Sequence, residues 1–339
     1  MISARHRMAI IGCGNIALSG HLPALLKHPR FQLAGLCDVR PERMEAMLRV
    51  CREQSPVSEQ QVRQATDYRD LLKEGGMDAC ILALHPEHSV DVAIDLLKKG
   101  VPVLDEKPLA VSLESGLRLA AVVEETRCVY QIGFCFRHCE FIRNASEWTR
   151  RIGFPALYQV GIYDEQPSQH IHDKQAMIQG ILRRSSALTH EGSHVIDWMA
   201  ALNPASITHA SARALRTRPE YAGPNLWVTH FGLSDGSALQ LTIGWLLPHQ
   251  PACSLRMVGP NGLLDLELMR GSGVFAIGEQ IMPLQTTPLC QDWQSQLDVF
   301  ARAIEEGKAT MSTVHDGLRV LRATVAGEQS FAENRVVAL

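Results

Sequence analysis

The segment Met8-Ala9-Ile10-Ile11-Gly12-Cys13-Gly14-Asn15-Ile16-Ala17 constrains this chain more than any other. An apolar run suited to a buried strand breaks into glycines, and a helix opens directly after them. Gly12 allows a tight turn, Gly14 lets the backbone approach a ligand, and Ala17 is small enough for close helix–strand packing. Backbone amides at the helix start, around Asn15 and Ile16, meet the positive end of the helix dipole, which suits a pyrophosphate. A second apolar run, Phe31 to Cys37, ends in Asp38, about twenty residues beyond the loop, where a carboxylate accepts hydrogen bonds from ribose hydroxyls. The pattern predicts a dinucleotide site built on Gly12, Gly14, Asn15, Ile16 and Asp38. A carboxylate at 38 repels the extra phosphate of NADP and favours NAD. Arg40 and Arg43 keep NADP possible, because a guanidinium grips a phosphate bidentately.

Further along, strand and helix signals alternate. A helix is expected from Pro41 to Cys51, with proline at its favoured first turn. Ala79 to Leu84 reads as a buried strand, and a helix from Ser89 to Lys99 stops at Gly100. Val101 to Leu104 is the next strand, Ser112 to Glu125 a helix capped by Ser112, and Cys128 to Phe134 another strand. This alternation predicts a doubly wound parallel sheet of the Rossmann type. Glu106-Lys107-Pro108 then places an ammonium at the carboxyl end of a strand, the edge at which such sheets bind ligands.

Past residue 150 the pattern changes. Ala156 to Tyr163, Ile207 to Leu215, Leu226 to Leu233, Ala238 to Leu246, Ser254 to Val258 and Leu263 to Leu268 read as strands. Turn signals, Ser234-Asp235-Gly236 and Pro260-Asn261-Gly262, sit between them. Helices from Trp293 to Glu306 and Val314 to Phe331 close the chain. The expected organisation is a dinucleotide-binding domain over 1–127 and an α+β domain over 128–339 with an open, mainly antiparallel sheet for substrate binding and oligomerisation.

The 339 residues suffice for two cores, and 46% apolar with 20% charged residues is ordinary for a globular protein. A net charge of −3 gives no basis for nucleic-acid or anionic-membrane partners. No stretch approaches the ~20 apolar residues of a membrane span. Met1 to Arg7 is polar and leads straight into the first strand, unlike a signal peptide. The nine cysteines hold no Cys-x-x-Cys pair and read as reduced thiols, consistent with a cytoplasmic protein. Cys135 and Cys139 flank His138 without the spacing of a zinc finger.

Taken in order, several segments resemble the glucose–fructose oxidoreductase/inositol dehydrogenase/rhizopine catabolism (Gfo/Idh/MocA) family. They are the Gly12–Ala17 loop, Pro86 and His88, Glu106-Lys107-Pro108, Gly133-Phe134 with Arg137, Gly192-x-His194-x-x-Asp197, and Val258-Gly259 before Gly262. The resemblance implies a nicotinamide-dependent oxidoreductase acting on a hydroxyl-bearing carbon of a sugar, inositol or related polyol, assembled as a homodimer or homotetramer. It places catalysis on Lys107 and His194, with His190 beside them. Cofactor contacts extend to Arg40, Leu84, Pro86, His88, Glu106, Lys107 and Arg137, and substrate contacts to Lys107, Cys135, Tyr163, His190 and His194. Removing hydride from a carbinol also requires removing its hydroxyl proton, so a base and an oxygen-stabilising cation are both needed. An imidazole suits the first role and Lys107 the second.

Two departures from the family pattern stand out. Relatives commonly carry aspartate where this chain has His190, which on a helix shares a face with His194. They often carry asparagine where it has Cys135, and a thiol is a poor hydrogen-bond partner. His190-Glu191-Gly192-Ser193-His194 also matches a zinc-protease pattern, but the third ligand at the metzincin spacing is missing and Gly192 weakens the helix, so no metal is expected. The polar stretch Asp164 to Ser186, with His170, His172, Arg183 and Arg184, reads as a lid or a short helix over Lys174 to Ile181. Two other readings stay open: a nicotinamide-binding sensor without turnover, and glycoside cleavage assisted by tightly held NAD.

Overall fold

The computed structural model describes residues 5–54, 62–73, 75–166 and 172–339, without the side chains of 172–175. His170 and the His172 side chain therefore lie outside the described residues. The chain divides into two compact units, 1–135 with 292–318, and 136–291 with 319–339.

Strands covered on both faces need apolar runs rather than alternation, and the inner strands of the first unit are built on such runs. Its elements are β1 (His6–Ile11), α1 (Leu22–Lys27), β2 (Phe31–Cys37), α2 (Pro41–Gln54), β3 (Arg63–Ala65), α3 (Tyr68–Lys73), β4 (Ala79–Leu82), α4 (Pro86–Lys98), β5 (Val103–Asp105), α5 (Leu113–Thr126) and β6 (Tyr130–Ile132). Every residue of β4, β5 and β6 is buried. The sheet order is β3-β2-β1-β4-β5-β6, with all neighbours parallel. Strand order reverses between β1 and β4, which puts the ligand crevice at their carboxyl ends. Ser112 caps α5 as expected, its hydroxyl accepting from the Ser115 amide at 3.2 Å. Gly100, past the end of α4, has φ +73°.

The second unit contains α6 (Glu140–Ile152), β7 (Leu157–Asp164), α7 (His172–Arg184), α8 (Ser193–Leu202), β8 (Ile207–Leu215), β9 (Leu226–Leu233), β10 (Ala238–Trp245), β11 (Ser254–Gly259), β12 (Gly262–Glu267), β13 (Ser272–Ile277) and β14 (Gln280–Gln285). With the short C-terminal strand they form a nine-stranded sheet, β14-β13-β12-β11-β7-β10-β9-β8 and then that strand. All neighbours are antiparallel except β7 and β10, which run parallel. The sheet is therefore mixed, because β10 inserts next to β7 rather than forming a hairpin with it. One face packs on helices: α6 buries Phe141, Ile142, Ala145, Thr149 and Ile152, and Thr149 donates to the Leu202 carbonyl at 3.1 Å. The other face carries Leu157, Val258, Leu263 and Ile281 exposed.

Last come α9 (Trp293–Glu306), α10 (Val314–Glu333) and β15 (Val337–Ala338). Asp292 caps α9 by accepting from the Ser295 amide at 2.9 Å. Leu297, Phe300 and Ala301 of α9 belong to the core of the first unit with Met8, Ile10, Leu22, Leu25 and Phe31, and Phe300 stacks on Phe31 at 6.0 Å between centroids. Burying the Leu297 and Phe300 side chains contributes about 1.5–3 kcal/mol each. Among the described residues no helix is long and apolar enough to cross a membrane.

Candidate active site

In the first unit the candidate residues lie at the carboxyl edge of the parallel sheet. The Gly12 amide donates to the Cys37 carbonyl at 2.8 Å, folding the chain sharply after β1. Its φ of +92° belongs to glycine. A Cβ there would meet Leu84 Cδ2 at 3.1 Å and lie closer still to the Ala83 carbonyl oxygen. Gly14 differs: a Cβ would meet nothing within 4 Å. The helix that follows passes through a wide, π-type turn, Ala17–His21, before α1, and Ala17 is fully buried against the sheet. Asn15 accepts from the Ser19 hydroxyl at 2.8 Å, and Gly14 from the Leu18 amide at 2.9 Å.

Asp38 leaves the end of β2 and turns back to this loop. Its Oδ2 accepts from the Cys13 amide at 2.9 Å and lies 3.4 Å from Arg43 Nη1, while Oδ1 accepts from the Arg40 amide at 2.9 Å. A carboxylate has about four acceptor positions, so capacity remains for hydroxyl donors. Arg43 is thus engaged with Asp38, and Arg40 is exposed. Burial pushes the neighbouring Cys13 and Cys37 thiols up to about 12, which leaves them protonated and unreactive at neutral pH. Open space at Gly14, the amide-lined turn and the carboxylate at 38 together fit a dinucleotide.

Around the same edge, Leu84 lies beside Gly12, Pro86 opens α4, and His88 is exposed on its first turn. One strand over, the Glu106 amide donates to the Leu82 carbonyl at 2.9 Å, continuing the β4–β5 ladder into Glu106-Lys107. Lys107 is half-buried and joined to Pro108 by a cis peptide. Asp105, buried just before it, accepts from Ser89 Oγ at 2.5 Å and Tyr130 Oη at 3.0 Å. Desolvation is the main cause that raises its carboxyl to about 7. Cys135 is buried, and its carbonyl accepts from the Asp292 amide at 3.3 Å.

In the second unit the focus is α8 and the turn before it. The Arg137 guanidinium grips Asp197 through two nitrogens, Nε at 3.0 Å from Oδ2 and Nη2 on Oδ1. Phe136 meets His194 edge-on at 4.8 Å, and His194 is 4% exposed. The helix expected through 190 and 194 is present, and it opens with a second π-type turn, Leu188–Gly192. His190 lies 6.2 Å from the Trp245 ring. Glu328 of α10 anchors this turn by accepting from Ser186 Oγ at 2.5 Å and Thr189 Oγ1 at 2.6 Å. Tyr163, at the end of β7, is half-buried with its ring across Gly161 and Gly244; a Cβ at 244 would meet that ring at 2.8 Å. The polar stretch after it contains α7, longer than the Lys174–Ile181 helix expected. No group of three or more His, Cys, Asp or Glu side chains placed to hold a metal occurs among the described residues.

Sequence reasoning did not single out Asp105, His21, Trp245 or Glu328. A signal existed for two of them: Asp105 is an acid in a strand otherwise apolar, and His21 is an imidazole among Ala17, Leu22, Ala24 and Leu25, all buried.

Residues 6–134 match the family model described as the oxidoreductase family with an NAD-binding Rossmann fold, GFO_IDH_MocA. Across 258 residues the chain is 23% identical to the rhizopine catabolism protein MocA of Rhizobium meliloti, covering 74% of this chain and 75% of that one. It is also 23% identical over 285 residues to the scyllo-inositol 2-dehydrogenase (NAD(+)) of Bacillus subtilis, covering 80% and 81%. The crystal structure of myo-inositol 2-dehydrogenase from Lactobacillus plantarum superposes with a TM-score of 0.83 at 18% identity, over 99% of this chain and 100% of that one, so the whole fold is shared. Residues 6–134 are thus similar to the NAD-binding Rossmann domain of the Gfo/Idh/MocA oxidoreductases, and the fold is shared over the whole chain.

Proposed function

We propose that this oxidoreductase interconverts a secondary alcohol and a carbonyl on an inositol, sugar or related polyol, using NAD. The observation that carries the reading is the placement, on one sheet edge in the order β3-β2-β1-β4-β5-β6, of the Gly12–Gly14 cradle, Asp38 and the Glu106-Lys107 strand end. Bound NAD supplies the hydride acceptor or donor. Asp38, Gly12, Gly14, Asn15 and Ile16 hold it, with Arg40, Leu84, Pro86, His88, Glu106 and Arg137 as further contacts. Lys107 orients the reacting oxygen and stabilises its developing negative charge. His194 takes the hydroxyl proton in oxidation and returns it in reduction. His190, Tyr163 and Cys135 shape recognition of the remaining hydroxyls. The named relatives MocA and scyllo-inositol 2-dehydrogenase support the polyol class.

The open face of the large sheet supports homo-oligomerisation. Leu157, Val258, Leu263, Ala276 and Ile281 are direct cross-strand partners in one row over β7, β11, β12, β13 and β14, and all but Ala276 are exposed. An apolar row of this kind fits the same row on a second copy, giving a dimer or a tetramer. Nine thiols without a disulfide suit the reducing cytoplasm.

The test is nicotinamide absorbance during incubation with NAD and a panel of inositols, sugars and sugar acids, with Lys107→Ala as control. Reduced cofactor that accumulates with wild type and not with the control supports the reading. A flat trace across the panel from protein that binds NAD overturns it in favour of a sensor or an internally recycled cofactor.

A further inference from the structure

The carboxylate next to Lys107 is enclosed by three distant segments of the first unit. Glu106 is 9% exposed, and its Oε2 accepts from the Lys107 amide at 3.3 Å. Its Oε1 lies 2.8 Å from His21 Nε2, and His21 is only 1% exposed. Facing a carboxylate oxygen, Nε2 serves as the donor of this hydrogen bond. On its other side the His21 ring meets Trp293 of α9 edge-on, 4.6 Å between centroids. Trp293 also closes over Gly20, where a Cβ would meet the indole at 2.8 Å. From beyond β5, Gly133 leaves room for the same carboxylate: a Cβ there would lie 2.9 Å from Oε1 and 3.1 Å from the Asp105 carbonyl oxygen.

Packing alone does not require this arrangement. A buried polar pair is weak evidence for stability, since apolar residues of similar volume often serve as well. A defined hydrogen bond between two buried side chains does determine the direction in which the carboxylate points, and here the same carboxylate holds the backbone of Lys107. His21 also ends the π-type turn of the helix whose first residues line the dinucleotide cradle, and such turns are frequent at functional sites.

We propose that His21 is a positioning residue for Lys107: by donating to Glu106 Oε1 it sets the carboxylate that holds the Lys107 amide at the end of β5. The inference rests on the role given to Lys107 above. His21 touches neither substrate nor cofactor in this account; it acts through Glu106.

The test compares His21→Phe, which keeps a packed ring without the donor, with His21→Gln, which restores an N–H near the same place. Three quantities are measured on folded protein: kcat and KM, NADH affinity by fluorescence, and the rate of reductive methylation of Lys107 in apoprotein, relative to exposed lysines, by mass spectrometry. The expected result for His21→Phe is a kcat lower by about ten- to hundredfold, the range carried by one lost hydrogen bond to a charged group. Lys107 reactivity departs from wild type, and NADH affinity, to which Glu106 contributes, falls by less than kcat does. His21→Gln recovers most of both. Wild-type kcat with wild-type Lys107 reactivity in His21→Phe overturns the proposal. Where His21→Phe does not fold, Gly133→Ala decides, because its methyl group presses on Glu106 from the opposite side with His21 intact. The same loss of kcat and altered Lys107 reactivity are expected of it, and wild-type values overturn the proposal. Full turnover by Lys107→Ala would remove the underlying reading instead, and the methylation rates would still report whether His21 positions Lys107.

Discussion

Gly12 and Gly14 stand two positions apart in one loop and are glycine for different reasons, so replacing each with alanine separates folding from binding. At Gly12 the φ of +92° places an added Cβ beside the Ala83 carbonyl and 3.1 Å from Leu84 Cδ2. Left-handed backbone in a residue other than glycine costs about 1–2 kcal/mol, and forcing extra volume against packed backbone adds about 1–3 kcal/mol. Gly12→Ala is therefore expected to lose roughly 2–5 kcal/mol of stability, a large share of a typical domain's 5–15 kcal/mol. At Gly14 the added Cβ meets nothing. Gly14→Ala is expected to unfold within about 1 kcal/mol of wild type, because alanine also restricts the unfolded chain. Its methyl group nevertheless occupies the space that the cradle leaves open, and NADH affinity is expected to fall by about tenfold or more, equivalent to at least ~1.4 kcal/mol. Urea unfolding of apoprotein and fluorescence titration with NADH read the two effects independently. Wild-type NADH affinity in a folded Gly14→Ala protein would refute the assignment of that space to the dinucleotide.

Three further expectations follow from buried polar groups and the open sheet face. Burial between Ser89 and Tyr130, with Glu106 adjacent in sequence, raises Asp105 to about 7, against about 3.9 unfolded. The native state thus holds a proton that the unfolded chain releases, so this contribution to stability is complete below about pH 4 and is lost as pH rises through 7. Asp105→Asn should flatten the urea-unfolding profile between pH 5 and 8 by a few kcal/mol; an unchanged slope contradicts the argument. Glu328→Ala leaves Ser186 and Thr189 without their shared acceptor, for an expected loss of about 1–3 kcal/mol in thermal unfolding. A melting temperature equal to wild type would show that the carboxylate does not anchor the turn. Val258→Lys with Leu263→Lys places two cations in the exposed apolar row and should convert the proposed dimer or tetramer to monomer in analytical ultracentrifugation, whereas unaltered sedimentation would refute this row as the interface.

The elements read from sequence are those whose own residues carry the signal. β1, β2 and β4 carry the apolar runs Met8–Ile11, Leu33–Cys37 and Ala79–Leu82, and Ser112 and Gly100 mark helix ends by local chemistry. β3 escapes because Arg63-Gln64-Ala65 has no apolar pattern; its strand conformation comes from pairing with Gly35 to Cys37. α6 is hidden by its arginines and lacks a side-chain cap, although its apolar residues share one face. β13 and β14 are interrupted by Gly273 and Pro283 and are held by ladders to β12 and to each other. The glycine loop, Asp38 and Lys107 are legible because turn geometry and charge leave local marks. The His21–Glu106 contact spans 85 positions, and nothing local announces it. Nor did the sequence indicate the π-type turn at Leu188–Gly192.

The return of α9 to the first unit has a consequence for synthesis. Leu297, Phe300 and Ala301 complete the core around Leu22, Leu25 and Phe31, so a ribosome that has released residues 1–135 has released an apolar surface without its cover. The covering helix lies roughly 160 residues further on, a delay of about 8–30 s at the usual 5–20 residues per second. During that interval 136–291 emerges, carrying every strand of the second sheet except β15, before the first unit can close. Vectorial folding of this chain therefore runs against its own order: its first 135 residues wait for α9 to complete their core.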